Sequence, residues 1–249
     1  MSGHSKWHSI KHKKGAADAK RGKIFTRLIK ELTVAARAGG GDPDMNPRLR
    51  TIINEAKAQN MPSDNIKRAI RRGTGEEPGV SYEEAQYEAY GPGGAAVIMD
   101  VLTDNKNRTV GELRHLLTKQ GGNLAEANSV AWMFTKRGYI VVAKNKAEED
   151  TLMNAVLDAG GDDIRDDDEN WEVLSSPEAF PAVLEAVKKL GIEPDAAEVS
   201  MLPQNYLKLE GKQAQQMVKL MEALDEHDDV QHVWANFDIE EKEIEASLA

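Results

Sequence analysis

The chain has 249 residues, of which 40% are apolar and 30% charged, with a net charge of −10 and no cysteine. This apolar content suffices for a globular core, and the lack of cysteine excludes disulfide frameworks, thiolate zinc sites and cysteine nucleophiles. No apolar run exceeds five residues, against the ~18 of a membrane helix, and the first 23 residues lack the apolar stretch of a signal peptide. We therefore expect a soluble cytoplasmic protein without membrane contact.

The charges are distributed unevenly along the chain. Residues 1–75 contain 17 of the 32 Lys and Arg residues but only six of the 42 Asp and Glu residues, which gives them a net charge of +11. Residues 76–249 have a net charge of −21. A division of this size is typical of a basic, polyanion-binding head joined to an acidic body.

The head begins with a basic segment and continues with a helix. Residues 1–21 have few large apolar side chains, and we predict a mobile arm that becomes ordered on its partner. From Lys23 onward, apolar residues recur at three- and four-residue spacing, which predicts a helix ending at the glycine run 39–41. The polar face of this helix contains Lys23, Arg27 and Lys30.

Two further helices complete the predicted head. Asn46 is the expected N-cap of the second helix, and Pro47 its first residue. The residues expected to be buried in it are Leu49, Ile52, Ile53 and Ala56. The third helix is expected to begin near Ser63 or Asp64 and to stop at Gly73. Residues 1–75 are therefore predicted to form a basic arm and a small all-α domain.

The pattern changes from helical to alternating after a Gly- and Pro-containing linker at 73–81. Beyond a turn expected at 136–138, residues 137–202 give the order strand, helix, strand, strand, helix, strand, which is the split βαβ arrangement of ferredoxin-like folds. We expect this segment to be inserted into a second, discontinuous ferredoxin-like domain of residues 76–136 plus 203–249. The predicted fold class is therefore α+β with three domains.

Several short motifs invite a chemical interpretation that their surroundings do not favour. His4, His8 and His12 have the spacing of metal ligands on a helix, but the neighbouring lysines would repel a cation. The GPGG motif at 91–94 lacks the lysine of a phosphate-binding loop and is expected to be a turn. The acidic residues within 162–169 lack the spacing of a calcium loop, so a solvated hairpin is expected.

One further segment leaves two interpretations open. Residues 104–109 end a predicted strand and begin a helix, with Asn105 or Asn107 as the expected N-cap. Lys106 and Arg108 beside a helix N-terminus leave anion binding as the alternative. The sequence contains no motif of a catalytic triad or zinc protease. We therefore predict no enzymatic activity, no cofactor and no bound metal.

Several segments in chain order resemble the YebC/PmpR family. The matching segments are GHSKW at 3–7, AKRGKIF at 19–25, GGGDPD at 39–44, NPRLR at 46–50, YGPGG at 90–94, GGNL at 121–124 and DDVQ at 228–231. The resemblance implies an all-α head, two α/β domains and residence in the bacterial cytoplasm. It also implies a regulatory role, because members are described as DNA-binding transcriptional regulators, mitochondrial relatives as translational activators, and some bacterial members have been linked to stalled ribosomes.

The candidate nucleic-acid-binding residues follow from the charge pattern and from this resemblance, because Lys and Arg bind phosphate and Trp stacks on bases. Those within or beside the matching segments are Lys6, Trp7, Lys11, Lys13, Lys14, Lys20, Arg21, Lys23 and Arg27. Those predicted to face outward from the second and third helices are Arg48, Arg50, Lys67, Arg68, Arg71 and Arg72.

Three functional hypotheses remain at this point. The first is a DNA-binding transcriptional regulator whose acidic body either recruits a protein partner or stays away from the phosphate backbone. The second is a ribosome-associated translation factor that binds ribosomal RNA through the basic arm, which Trp7 favours because unpaired bases stack on aromatic rings. The third is a protein–protein adaptor. The sequence does not indicate the oligomeric state.

Overall fold

A computed structural model describes residues 17–167 and 170–248. The helices in it are α1 (Ala17–Gly39), α2 (Pro47–Ala58), α3 (Ser63–Thr74), α4 (Lys106–Lys119), α5 (Glu149–Asp158), α6 (Phe180–Lys189), α7 (Gly211–Asp225) and α8 (Glu241–Leu248). The strands are β1 (Glu83–Tyr90), β2 (Ala96–Thr103), β3 (Asn123–Leu124), β4 (Phe134–Ala143), β5 (Gly161–Asp167), β6 (Asn170–Ser175), β7 (Ala196–Pro203), β8 (Leu207–Lys208), β9 (Val230–Ala235) and β10 (Phe237–Asp238). Helices combined with antiparallel sheets confirm the α+β class.

Helices α1, α2 and α3 pack around one apolar core that includes Leu32, Leu49 and Ile66. Asn46 is the N-cap of α2, as predicted: its Oδ1 accepts a hydrogen bond from the Leu49 amide at 3.1 Å. The Asn46 Nδ2 also donates to the carbonyl oxygens of Ala35 and Gly40, both at 2.9 Å. One buried amide side chain therefore both starts α2 and fixes it to the end of α1.

Helix α1 begins earlier than predicted. The expected start at Lys23 is wrong, because the helix already includes Ala17. Alanine has the highest helix propensity of all residues, and the alanines at 17 and 19 therefore favour an earlier start of the helix. Residues 1–16 of the predicted arm lie outside the described residues.

Gly73 does not end α3, contrary to the prediction. It lies within the helix where α3 crosses α1, and a Cβ atom there would be 2.4 Å from the Thr33 carbonyl oxygen. The helix ends one residue later, with Gly75 in the left-handed conformation at φ 84°. Gly73 is therefore required for close packing of the two helices, which a pattern of apolar residues does not reveal.

The acidic body contains two four-stranded sheets. One has the strand order β3-β1-β2-β9 and takes its last strand from the C-terminal part of the chain. It packs against α4, α7 and α8 through a core that includes Met99, Leu117 and Met217. In this sheet β1 lies between β2 and β3, the two strands that α4 connects.

The second sheet has the order β5-β6-β4-β7 and packs against α5 and α6 through a core that includes Val142, Leu152 and Val187. All of its strands lie within residues 134–203, between the two parts of the chain that build the other sheet. The ferredoxin-like classification and the three domain boundaries stay predictions.

The turn expected at 136–138 is wrong, because β4 continues through these residues without interruption. Both neighbouring strands, β6 and β7, pair with Gly138. A Cβ atom at Gly138 would lie 2.3 Å from Ser175 Oγ and 2.7 Å from Phe180 Cβ. Close packing explains this glycine. Ala131–Met133 form a 3-10 turn immediately before β4.

Two predicted connections are confirmed. Pro92–Gly94 form a 3-10 turn between β1 and β2, so the GPGG motif is a turn. Strands β5 and β6 form a hairpin, whose residues 168–169 lie outside the described part of the chain. Two of its acidic side chains, Asp162 and Asp166, form ion pairs with Arg137 and Lys144. None of the described helices is long and apolar enough to cross a membrane.

Candidate nucleic-acid interface

Four cationic side chains cover the exposed face of α3, opposite its buried residues. They are Lys67, Arg68, Arg71 and Arg72. Arg71 Nε lies 2.6 Å from Glu77 Oε1; the Arg71 side chain is exposed and that of Glu77 is partly exposed. Within residues 17–167 and 170–248, the other three have no ion pair with a carboxylate. Because Gly73 lets α3 approach α1 closely, the helix holds this face in a fixed orientation.

The two predicted arginines of α2 point in different directions. Arg48 forms an ion pair with Glu84 of β1. Arg50 is exposed on another side of the helix, and no described carboxylate pairs with it. Lys57, near the end of α2, is also exposed and was not singled out in the sequence. The helix thus contributes Arg50 and Lys57 to the exposed positive charge of the head.

Helix α1 lies against an acidic turn at the C-terminal end of α7. We define the acidic turn by Asp225, Glu226, Asp228 and Asp229. Lys23 Nζ donates to the Glu226 carbonyl oxygen, and Arg27 donates to the carbonyl oxygen of Asp225 and, at 3.4 Å, to its Oδ1. The two predicted residues Lys23 and Arg27 are therefore occupied by contacts within the molecule.

A third cation of α1 forms the innermost contact with this turn. Lys30 Nζ lies 2.8 Å from Asp229 Oδ1 and also donates to the Asp228 carbonyl oxygen at 2.9 Å. Asp229 Oδ2 accepts from Arg108 at 2.8 Å and from the Thr109 hydroxyl at 2.7 Å. Burial acts to raise the pKa of Asp229, but these donors outweigh it and hold that pKa well below its usual range.

This network decides between the two interpretations of residues 104–109. Asn105 is the N-cap of α4, because its Oδ1 accepts from the Arg108 amide at 3.1 Å. The Arg108 side chain pairs with Asp104 and Asp229, and Lys106 Nζ lies 2.6 Å from Glu83 Oε2. Both cations near the start of α4 are therefore neutralised by carboxylates, which does not favour anion binding there.

A carboxylate–histidine group lies beside the same network. Atoms of Glu112, His227 and Asp229 come within 4.8 Å of one another. His227 Nε2 is 2.9 Å from Glu112 Oε2, and its Nδ1 accepts from the Asp229 amide at 3.1 Å. A metal ion would have to displace Lys30 or Arg108 from Asp229, so the donor set is better suited to its present hydrogen bonds.

A cleft of about 800 Å³ separates α2 from both sheets. Its titratable lining residues are Glu31, Glu55, Glu84, Asp100, Arg48, Lys136 and His232. His232 stacks on Trp234 with ring centroids 5.4 Å apart, and its Nε2 lies 3.7 Å from Glu31 Oε1. The surplus of carboxylates makes this cleft unfavourable for phosphate.

An exposed tryptophan on the body was missed in the sequence. Trp132 has 67% of its surface exposed and follows a loop fixed by the buried carboxylate of Glu88. That carboxylate accepts hydrogen bonds from the amides of Asn128, Val130 and Ala131 at 2.6, 2.6 and 2.8 Å. Burial acts to raise the pKa of Glu88, but the backbone donors outweigh it and lower that pKa. The pattern of neighbouring residues in the sequence does not predict this loop, because the Glu88 carboxylate that fixes it lies about 40 residues earlier in the chain.

The structure divides the predicted binding residues into four groups. Lys6, Trp7, Lys11, Lys13 and Lys14 lie outside the described residues, and Lys20 and Arg21 belong to the first turns of α1. Lys23 and Arg27 contact the acidic turn, and Arg48 contacts Glu84. The residues exposed on α2 and α3 are Arg50, Lys67, Arg68, Arg71 and Arg72.

Comparison with known proteins identifies relatives along nearly the whole chain. Residues 5–76 match the TACO1/YebC protein N-terminal domain, and residues 82–237 match the TACO1/YebC second and third domain. A protein of Koribacter versatilis is 63% identical over 98% of both chains, and one of Acidobacterium capsulatum is 64% identical over 98% of both. Both relatives are named probable transcriptional regulatory protein.

A solved structure shares the fold. The crystal structure of a conserved hypothetical protein from Aquifex aeolicus matches with a TM-score of 0.80 and 44% sequence identity, covering 93% of this chain and 96% of that one. Together with the two family matches, which account for most of the sequence, this similarity establishes the family. The chain belongs to the TACO1/YebC family.

Proposed function

We propose that this chain is a non-enzymatic regulator of gene expression that binds nucleic acid through the exposed basic face of α3. The main observation in support is that Lys67, Arg68 and Arg72 are exposed and have no ion pair within the described residues. In contrast, Arg27 and Arg48 form ion pairs, and Lys23 donates to a backbone carbonyl oxygen. Cations without a carboxylate partner are the ones available to displace counterions from a phosphate backbone.

The names of the relatives support regulation of transcription as the first form of this function. The proteins of Koribacter versatilis and Acidobacterium capsulatum are both named probable transcriptional regulatory protein. In this form the head contacts duplex DNA in the cytoplasm. The acidic body, with its net charge of −21, stays away from the phosphates and offers surfaces such as exposed Trp132 to a protein partner.

A second form of the function is binding to ribosomal RNA as a translation factor. It is favoured by Trp7, which lies within the basic arm and would stack on unpaired bases. In both forms the domains have the same roles: the all-α head binds nucleic acid, and the two α/β domains do not contact it. The order of the strands within the two sheets supports that domain division.

The test compares two polymers and two charge-reversal variants. The wild-type chain is assayed by gel shift on random-sequence duplex DNA and by cosedimentation with ribosomes at physiological salt. Arg68→Glu/Arg72→Glu is expected to abolish whichever binding is found. Lys188→Glu/Lys189→Glu is the control, because it reverses two exposed cations in the last turn of α6 on the body.

The results separate the alternatives. Saturable DNA binding that Arg68→Glu/Arg72→Glu abolishes supports the transcription form, and ribosome association without DNA binding supports the translation form. Equal loss of binding in both double variants, or none in either, would refute the assignment of α3 as the binding face.

A further inference from the structure

The contact between α1 and the acidic turn has the chemistry of a nucleic-acid complex. Lys23, Arg27 and Lys30 project from one side of α1 at four- and three-residue spacing. Each donates hydrogen bonds to oxygen atoms of the acidic turn, either carboxylate oxygens or the carbonyl oxygens at the end of α7. A helix C-terminus has a partial negative charge, so these oxygens form a compact anionic surface.

The three contacts differ in burial. Lys30 and Asp229 have side chains only 9% and 5% exposed, so this inner pair is a structural element. The Arg27 and Asp225 side chains are 20% and 16% exposed, and Lys23 is half-buried at the outer end of the row. The outer two cations are therefore the ones that solvent, and a competing anion, can reach.

The outer contact is also incompletely satisfied. The Nε atom of Arg27 is buried and has no hydrogen-bond partner in the described part of the chain. Burial lowers the pKa of Arg27, and burial together with the neighbouring Arg27 charge lowers the pKa of Lys23. A guanidinium with an unsatisfied buried N–H gains by exchanging its partner for one that accepts more of its donors.

We propose that the acidic turn is an internal competitor for nucleic acid, which holds Lys23 and Arg27 of α1 in the place of phosphate and releases them when nucleic acid binds. Carboxylate and phosphate oxygens accept the same forked hydrogen bonds from arginine. A phosphate group can therefore replace the carboxylate of the acidic turn as the acceptor of the Arg27 hydrogen bonds. The inner Lys30–Asp229 pair keeps α1 attached during the exchange. This inference rests on the proposed nucleic-acid-binding function of the head.

The first test removes the competing charge. Asp225→Asn is expected to bind random-sequence duplex DNA, and single-stranded RNA of equal length, about three- to fivefold more tightly than the wild type. This increase in affinity corresponds to the free energy of the one partly exposed ion pair that no longer has to be broken.

The controls separate local release from a change in net charge. Asp158→Asn removes the same charge from the last residue of another helix, α5, where the aspartate is exposed, and is expected to bind as the wild type does. Asp225→Glu keeps the charge and is also expected to bind as the wild type does. The unfolding midpoint of every variant is measured beside its affinity, so that damage to the fold is recognised.

The decisive test is a double-mutant cycle. Arg27→Gln should lower the affinity only slightly in the wild type, where the phosphate contact of Arg27 replaces its contact with Asp225, but should remove the whole gain in the Asp225→Asn background. Equal losses in both backgrounds, or equal affinities of Asp225→Asn and Asp158→Asn, would overturn the inference. The proposed function is tested separately, because it is supported if Arg68→Glu/Arg72→Glu loses binding. Failure of the competitor inference can therefore be distinguished from failure of the proposed function.

Discussion

Lys30 Nζ lies 2.8 Å from Asp229 Oδ1, and this buried ion pair joins two residues that are 199 positions apart in the chain. It connects the basic head to the acidic body at the point where β9 begins. Arg108 and Thr109 bond the other carboxylate oxygen, so that α1, α4 and the acidic turn meet at Asp229. We infer that this residue determines how firmly the head is attached.

Removing the charge of Asp229 should therefore destabilise the protein. Asp229→Asn leaves Lys30 buried without its counter-charge, and we expect a loss of about 3 kcal/mol in the free energy of unfolding, measured by urea denaturation. Asp163→Asn is the control, because Asp163 pairs with Arg165 at 3.1 Å but both side chains are more than half exposed. A loss as small as that of the control, below about 1 kcal/mol, would contradict the role assigned to Asp229.

The same carboxylate should give the protein a characteristic acid sensitivity. The pKa of Asp229 is lowered in the folded state, so its stabilisation is complete above the unfolded pKa of about 4 and is lost as pH falls toward the folded value. The unfolding midpoint of the wild type should fall more steeply below about pH 4 than that of Asp229→Asn. Parallel pH profiles of the two proteins would be inconsistent with the lowered pKa.

Two glycines in helix interiors should respond in opposite ways to alanine. Gly73→Ala would place a Cβ 2.4 Å from the Thr33 carbonyl oxygen and should be destabilising by about 2 kcal/mol or more. Gly111→Ala in α4 meets nothing within 4 Å and should stabilise the chain by up to about 1 kcal/mol through helix propensity. Thermal unfolding of both variants checks this, and stabilisation by both would show that α1 and α3 do not approach closely.

The cleft histidine should make stability dependent on pH near neutrality. The carboxylates of Glu31, Glu198 and Asp100 outweigh the partial desolvation of His232 in the cleft and raise its pKa, although about half of the side chain, 54%, is exposed. Its contribution is therefore complete below the unfolded pKa of about 6.5 and is lost as pH rises through the higher folded value.

His232→Gln should accordingly lower the unfolding midpoint at about pH 6 and have little effect at about pH 9. Glu55 faces the same cleft, and burial with the nearby Glu31 charge raises its pKa, so the measurement is repeated in Glu55→Gln to separate the two groups. His115→Gln, on the exposed side of α4, is the matched control. A pH-independent effect of His232→Gln would argue against a charged histidine in the cleft.

Local patterns predicted much of the fold because they depend on neighbouring residues. The buried residues of α2 and its Asn46 cap follow from spacing within one or two turns and are confirmed. For α4, the structure selects Asn105 from the two expected caps, Asn105 and Asn107. The glycines at 73 and 138 were misinterpreted, because each is required by a packing contact with a distant element and not by a turn.

The candidate site was less predictable for the same reason. Lys23 and Arg27 have the pattern of a solvent-facing basic stripe, and their partners lie about 200 residues away on the acidic turn. Of the acidic turn, only Asp228 and Asp229 lie within the DDVQ segment that resembles the family, and that segment gave no indication of the contact with α1. The cations of α3 were predictable, because their helix presents them opposite its own buried residues.

The salt dependence of nucleic-acid binding tests the central claim most directly. Arg68→Gln/Arg72→Gln removes two exposed cations of α3 and should reduce the slope of log K against log salt by about 1.8 on duplex DNA. Lys188→Gln/Lys189→Gln should leave the slope at its wild-type value. If the α3 variant keeps the wild-type slope, or if both variants change it equally, this face does not contact phosphate and the account is wrong.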